Sequence, residues 1–148
     1  MKAKDILANK SKTVFTIFEE HTVFDVVAEL AKNKIGFLVV TNISDGVAGV
    51  ISERDVIHKC VHQKRDPLSV KAKDIMTPKE RLIAATEDDD IQTIMNTMTE
   101  RKIRHIPVFK ENQLLGIISI GDVVKNILVA KDNEIKTLTE YAFGQYPA

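Results

Sequence analysis

Two stretches, Gly49-Val50-Ile51-Ser52-Glu53-Arg54-Asp55-Val56 and Gly116-Ile117-Ile118-Ser119-Ile120-Gly121-Asp122-Val123, carry one pattern twice. In each, a short β-rich apolar run ends at a serine, and a carboxylate follows three residues later at the head of an amphipathic segment. That order marks a buried strand feeding a helix. Before the first copy, Phe37-Leu38-Val39-Val40 and Val47 to Ile51 are apolar runs separated by Asn42-Ile43-Ser44-Asp45-Gly46, which suggests two strands joined as a hairpin. Further upstream, Thr22 and Asp25 form a helix-start signal, and Val23, Val26, Val27, Leu30 and Ala31 follow at helical spacing. After Ser52, Val56, Ile57 and Cys60/Val61 share one face of a second helix spanning Glu53 to Val61.

The second copy lies in the same setting. Ile91, Ile94, Met95 and Met98 mark a helix, Ile106-Pro107-Val108 and Leu114 to Ile118 two strands, and Val123, Val124, Ile127 and Leu128 the closing helix. The copies also open alike, with Lys2-Ala3-Lys4-Asp5-Ile6-Leu7 echoed by Lys71-Ala72-Lys73-Asp74-Ile75-Met76, and Lys34-Ile35 matches Lys102-Ile103. The order is preserved while the register slips by single residues, as loop length changes would produce. The chain reads as an internal duplication: repeat 1 over 1–62, a polar linker over 63–70 containing Pro67, repeat 2 over 71–130, and a tail over 131–148. Each repeat is about β-α-β-β-α in a mixed α/β, α+β fold. Two such halves, each exposing sheet surface, are expected to pack with an approximate twofold axis and two related clefts. From Ile135 to Tyr146 the tail has no counterpart in repeat 1. Ile135, Leu138, Tyr141 and Ala142 recur there at helical spacing, so it reads as a third helical element whose apolar stripe needs a surface to cover.

Composition narrows the function classes. The 148 residues carry 21 Lys plus Arg against 21 Asp plus Glu, without the basic surplus that drives nucleic-acid binding. The one cysteine, Cys60, allows no internal disulfide and fits a reducing compartment, with the cytoplasm as default. The N-terminus lacks an apolar core of signal-peptide length and no stretch approaches the ~18 apolar residues of a membrane span, so the whole chain is read as mature and soluble.

The paired segments hold the chemistry. A strand end followed by a helix start presents backbone N–H groups and a positive dipole end to a phosphate, with Ser52 or Ser119 adding a hydroxyl. Asp55 or Asp122 then supplies a carboxylate that accepts hydrogen bonds from ribose hydroxyls. The same spacing is also an ordinary capping box.

These segments, together with Lys102-Ile103-Arg104-His105-Ile106-Pro107-Val108 and the repeat openings Val14 to Val23 and Leu82 to Ile91, resemble the CBS-domain family over roughly residues 1 to 130. The likeness is to stand-alone CBS pairs. It implies a Bateman-type module without a catalytic domain that binds an adenosine compound: AMP, ADP, ATP, NAD(H) or S-adenosylmethionine. The resemblance also implies the contacts. Asp122, with Ser119 and Gly121 beside it, would hold the ribose of the stronger cleft. Thr16 would face the same ligand, Ile35, Gly36 and Phe37 would line that cleft, Ile117 would lie against the base, and Arg104 and His105 would reach phosphates. In the second cleft Asp55 and Ser52 take the corresponding roles, with Val50 and Ile103 as lining, Arg54 near phosphates and Ala84 opposite. Ala84 stands where the family carries threonine, which weakens that cleft, and Glu19 and Glu87 replace a proline common in the opening motif.

Other residue sets point elsewhere with less support. His105 beside Arg104 has no nucleophile or acid partner at a recognisable spacing, and no phosphate-binding glycine loop is present, so no catalytic residue is assigned. His58 and His62 lie one helical turn apart, but Cys60 falls off their face, so they read as surface residues and no metal site is assigned. Met95 and Met98 read as core. Glu87-Asp88-Asp89-Asp90 reads as acidic charge at a helix start. The competing class is a ligand-free dimerisation or interaction module, and the tail stripe together with the family's habit of association suggests a homodimer in either case.

Overall fold

The computed structural model describes residues 1–10, 13–44 and 46–142, so the tail reading beyond residue 142 lies outside the described residues. The chain divides into two compact units whose boundaries cross the sequence repeats. A central unit comprises Lys12–Ala84, and a split unit joins Met1–Ser11 to Ala85–Ala148.

In the central unit, β1 (Thr16–Phe18), α2 (Val23–Asn33), β2 (Phe37–Thr41) and β3 (Val47–Ser52) follow α1 of the split unit (Ala3–Ala8) in chain order. The sheet continues to β4 (Thr77–Pro78) in the order β1-β2-β3-β4. Strand β1 runs parallel to β2, β2 and β3 form the expected antiparallel hairpin, and β4 closes antiparallel on β3. Thr22 caps α2 as its spacing suggests: its hydroxyl accepts the Asp25 N–H at 3.1 Å, and Asp25 accepts the Thr22 N–H in return. Val23, Val26 and Leu30 are the buried stripe of that helix, while Val27 stays exposed. Behind the sheet they meet Ile17, Leu38, Val40 and Ile51, with Ala72 and Ile75 from α4 (Ala72–Ile75).

The split unit repeats this plan. Strands β5 (Ala85–Thr86), β6 (His105–Lys110) and β7 (Gln113–Ser119) form a sheet in that order, parallel and then antiparallel. Helices α5 (Ile91–Arg101) and α6 (Ile120–Ala142) complete it. Its core joins Ile94, Met98, Ile106, Val108, Ile118 and Val123 to Ala3 and Ile6 of α1.

The repeated opening segments are short helices, which the β-α-β-β-α reading omitted, and each completes the core of the unit opposite to its own repeat. Every position of the hexapeptide has a structural task. Ala3, Ala72 and Ile75 are fully buried and Ile6 nearly so. Asp5 and Asp74 accept the backbone N–H of Lys2 and Lys71, and the lysines pair outward, Lys4 with Asp88 at 3.2 Å and Lys71 and Lys73 with Glu20 at 2.5 and 2.6 Å. The backbone seats them in matching fashion, with Lys73 N–H on the Glu19 carbonyl and Lys4 N–H on that of Glu87.

Three expectations need correction. The closing helix of repeat 2 and the tail are one 23-residue helix, α6, because no proline or glycine interrupts the chain after Gly121 within it. The helix after Ser52 is α-helical only over α3 (Glu53–Val56) and then widens to a π turn over Ile57–Val61, which buries Cys60 and turns Ile57 and Val61 outward. The acidic run is no cap by side chain: Asp90, the N-cap of α5, makes no capping bond, Asp89 accepts the Thr86 N–H at 2.9 Å, Asp88 serves the lysines of α1, and Glu87 pairs with Lys110 at 3.3 Å.

Candidate functional site

Each unit places its Ser–Asp segment at the same corner of its sheet. In the split unit β7 ends at Ser119, which lies opposite His105 at the start of β6, and the Ile120 N–H donates to the Arg104 carbonyl at 2.8 Å. This corner brings together Ile103, Arg104, His105, Ile117, Ser119, Gly121 and Asp122. In the central unit Ser52 lies opposite Phe37, and the Glu53 N–H donates to the Gly36 carbonyl at 3.0 Å, gathering Ile35, Gly36, Phe37, Val50, Ser52, Arg54 and Asp55. Lys34 and Lys102, both in the left-handed region at φ 54° and 55°, end α2 and α5 just before these strands. The parallel register makes Ala84 the counterpart of Thr16: Ile17 pairs with Val40 as Ala85 pairs with Val108.

The capping reading of the segments is realised in both copies. Ser52 and Ser119 accept the N–H of Asp55 and Asp122 at 3.3 and 3.1 Å, and each carboxylate accepts its serine's N–H at 2.9 Å. The expected exposed amides are therefore largely used: the first residue of each helix bonds a neighbouring carbonyl, and the third bonds the serine. These amides leave little for a phosphate to bind, and Arg104, His105 and Arg54 are the basic side chains nearest the two corners in sequence. The glycines of the pattern also answer to packing. A Cβ at Gly49 would stand 2.2 Å from the Thr77 carbonyl oxygen, and one at Gly116 would stand 2.8 Å from Leu7 of α1.

The two carboxylates differ in what they hold. Asp55 is committed on both oxygens, with Oδ2 on the Ser52 N–H and hydroxyl and Oδ1 on Lys59 at 2.9 Å. Asp122 concentrates its bonds on Oδ2, which takes the Ser119 N–H and the Lys10 ammonium at 2.6 Å; among the described residues Oδ1 takes none. Burial raises the Asp122 carboxyl's pKa, but the hydrogen bond and charge of Lys10 and the bonds from Ser119 outweigh it and hold it below the ordinary carboxylate value. Lys59 was legible as an i,i+4 partner of Asp55. Lys10, 112 residues from Asp122, carried no such signal.

One further hollow, of about 390 Å³, lies on the central unit between β1 and α2, lined by Thr16, Phe18, His21, Asp25, Glu29 and Thr41. Among the described residues no cluster of His, Cys, Asp and Glu is placed to hold a metal ion, and no helix is long and apolar enough to cross a membrane.

Two sheet-and-helix units built from one duplicated plan, each with a capped carboxylate at its strand–helix corner, define a tandem-repeat module. The chain belongs to the CBS domain family, which matches it over residues 3–62 and 72–129. It is 34% identical over 148 residues to the mitochondrial CBS domain-containing protein CBSX3 of Arabidopsis thaliana, covering 96% of this chain and 72% of the relative. Among solved structures it resembles a proposed signal-transduction protein with CBS domains from Burkholderia ambifaria (TM-score 0.80, 32% identity, 87% of this chain and 95% of the other). It also resembles a CBS domain protein from Pyrobaculum aerophilum complexed with AMP (TM-score 0.70, 28% identity, 82% and 89%).

Proposed function

We propose that this CBS pair is a non-catalytic sensor of an adenine nucleotide, AMP, ADP, ATP or NAD(H), acting as a homodimer in the cytoplasm or an organellar matrix. The observation that carries the reading is Asp122: a half-buried carboxylate at a strand–helix corner, fixed through Oδ2 and with Oδ1 uncontacted among the described residues. The Ser119 N–H orients this carboxylate at the corner, where it is placed to accept ribose hydroxyls. Arg104 and His105, on the adjoining strand start, supply the charge and donors for phosphate. The AMP complex of the Pyrobaculum aerophilum relative supports adenosine as the ligand class.

The test is a thermal shift series with AMP, ADP, ATP, NAD(H) and S-adenosylmethionine, with guanosine and pyrimidine nucleotides as controls. A ligand at a hundred times its dissociation constant adds about 2.7 kcal/mol of stability. Selective stabilisation by adenosine compounds is the expected outcome. If S-adenosylmethionine alone stabilises the fold, the ligand class within the family shifts to that cofactor. If no compound does, a ligand-free dimerisation or interaction module is the better reading, favoured by the exposed Leu128, Ile135 and Leu138 of α6.

A further inference from the structure

Resting on the adenosine-sensor reading, we infer that Lys10 is a built-in occupant of the Asp122 site, a latch that a nucleoside must displace. The Lys10 ammonium makes two hydrogen bonds in that corner, 2.6 Å to Asp122 Oδ2 and 2.7 Å to the Ile117 carbonyl oxygen. The first partner is the carboxylate assigned to the ribose hydroxyls. The second is the backbone acceptor two strand positions before Ser119, beside the side chain assigned to the base. One side chain thus takes up the carboxylate that the ribose would address and spans from it to the strand carbonyl beside the base-lining residue, and it does so with a positive charge, which a neutral ribose cannot match.

The placement is specific to this corner. Lys10 follows α1, whose Ala3 and Ile6 are locked in the core of the split unit and whose Leu7 packs on Gly116, so the backbone that carries it is anchored a few residues away. The ammonium and the carboxylate are 30% and 21% exposed, dry enough for the pair to count and open enough for the lysine to swing out. In the central unit the corresponding carboxylate is held by Lys59, one helical turn along in sequence, whose ammonium makes its other bond to the Ile75 carbonyl of α4 at 3.1 Å rather than to the strand carbonyl at Val50. The two sites therefore differ in kind: a lysine from a separate segment covers one, and a lysine one turn along braces the other. Ligand affinity at Asp122 is the outcome of a competition between ammonium and ribose, and whatever draws the segment after α1 away raises it.

The experiment uses the full chain and adenosine, whose lack of phosphate denies the displaced ammonium a new partner. Calorimetric titration of wild type, Lys10→Met and Lys10→Arg is paired with mass-spectrometric measurement of Lys10 acylation in wild type, with and without adenosine. The latch predicts that Lys10→Met binds adenosine about three- to tenfold more tightly than wild type, the range left for a charge-assisted contact that is partly solvated. It predicts that Lys10→Arg stays near wild type and that adenosine speeds acylation of Lys10. Equal or weaker adenosine binding by Lys10→Met, in protein whose ligand-free melting shows it folded, overturns the latch while leaving the sensor reading intact, as does slower or unchanged acylation in the presence of bound adenosine. Adenosine bound by none of the three proteins overturns the latch and, with AMP also unbound, the sensor reading with it.

Discussion

Asp55 and Asp122 hold equivalent places in the duplication, yet their surroundings assign them different capacities. On the proposed sensor reading Asp122→Ala removes the charged acceptor of the ribose hydroxyls, and calorimetry is expected to show AMP affinity falling about ten- to a hundredfold. Asp55 has both oxygens occupied by Ser52 and Lys59, and Ala84 supplies no hydroxyl where Thr16 does. Asp55→Ala is therefore expected to cost less AMP affinity, and the reverse ranking would reassign the stronger site to Arg54 and its neighbours. Charge at the same scale sets a pH dependence. Lys71 and Lys73 bond Glu20 and draw its carboxyl down from 4.5 to about 2. A depressed carboxylate pKa contributes stability above its unfolded value and loses it as pH falls through the folded one. The melting-temperature deficit of Glu20→Gln relative to wild type is expected to be constant above about pH 4.5 and to vanish toward pH 2, as thermal melts across that range will show. The deficit itself is small, since the pair is on the surface.

At the scale of elements, the units depend on close approach by segments distant in sequence. Gly49 lies under the backbone of β4 and Gly116 under the side chain of Leu7, so the two glycines of the duplicated pattern differ in tolerance. Gly49→Ala places a methyl group against a backbone oxygen that cannot move without breaking the β3–β4 pairing, whereas Leu7 can change rotamer. Chemical denaturation is expected to show Gly49→Ala destabilised by about 3 kcal/mol or more and Gly116→Ala by about 1 kcal/mol, the two ends of the overpacking range. The repeated hexapeptide is legible here in retrospect. Its alternation of lysine, alanine and aspartate reads as a weak helix signal, and only the packing reveals that the alanine is fully buried in the core of the unit that the helix joins.

For the molecule as a whole, α6 is the feature that calls for a partner surface. Val124, Leu128, Ile135 and Leu138 are 47%, 57%, 61% and 62% exposed and recur at a coiled-coil spacing along a helix about 35 Å long. Leaving such a stripe wet is unfavourable at about 25 cal/mol per Å² of apolar surface. Light scattering at micromolar concentration is expected to show a dimer, and Leu128→Glu with Leu138→Glu a monomer of unchanged secondary structure. A monomeric wild type would refute the assignment of this stripe to a second copy.

The duplication, the helices α2 and α5, the hairpins and the Ser–Asp corners were all determined by sequence, because each depends on residues within a few positions of one another: hydrophobic period, turn chemistry and the three-residue spacing of a capping box. The sequence likewise placed α6's apolar stripe, though not its continuity with the closing helix, which follows from the absence of any breaker rather than from a positive signal. Tertiary structure alone decided which unit each opening helix completes, why Gly49 and Gly116 have no side chain, and that Lys10 rests on Asp122. Those facts join residues far apart in the chain, Lys10 and Asp122 by 112 positions, and the energy that selects them is burial and charge pairing in the folded state, which leaves no local periodicity to read.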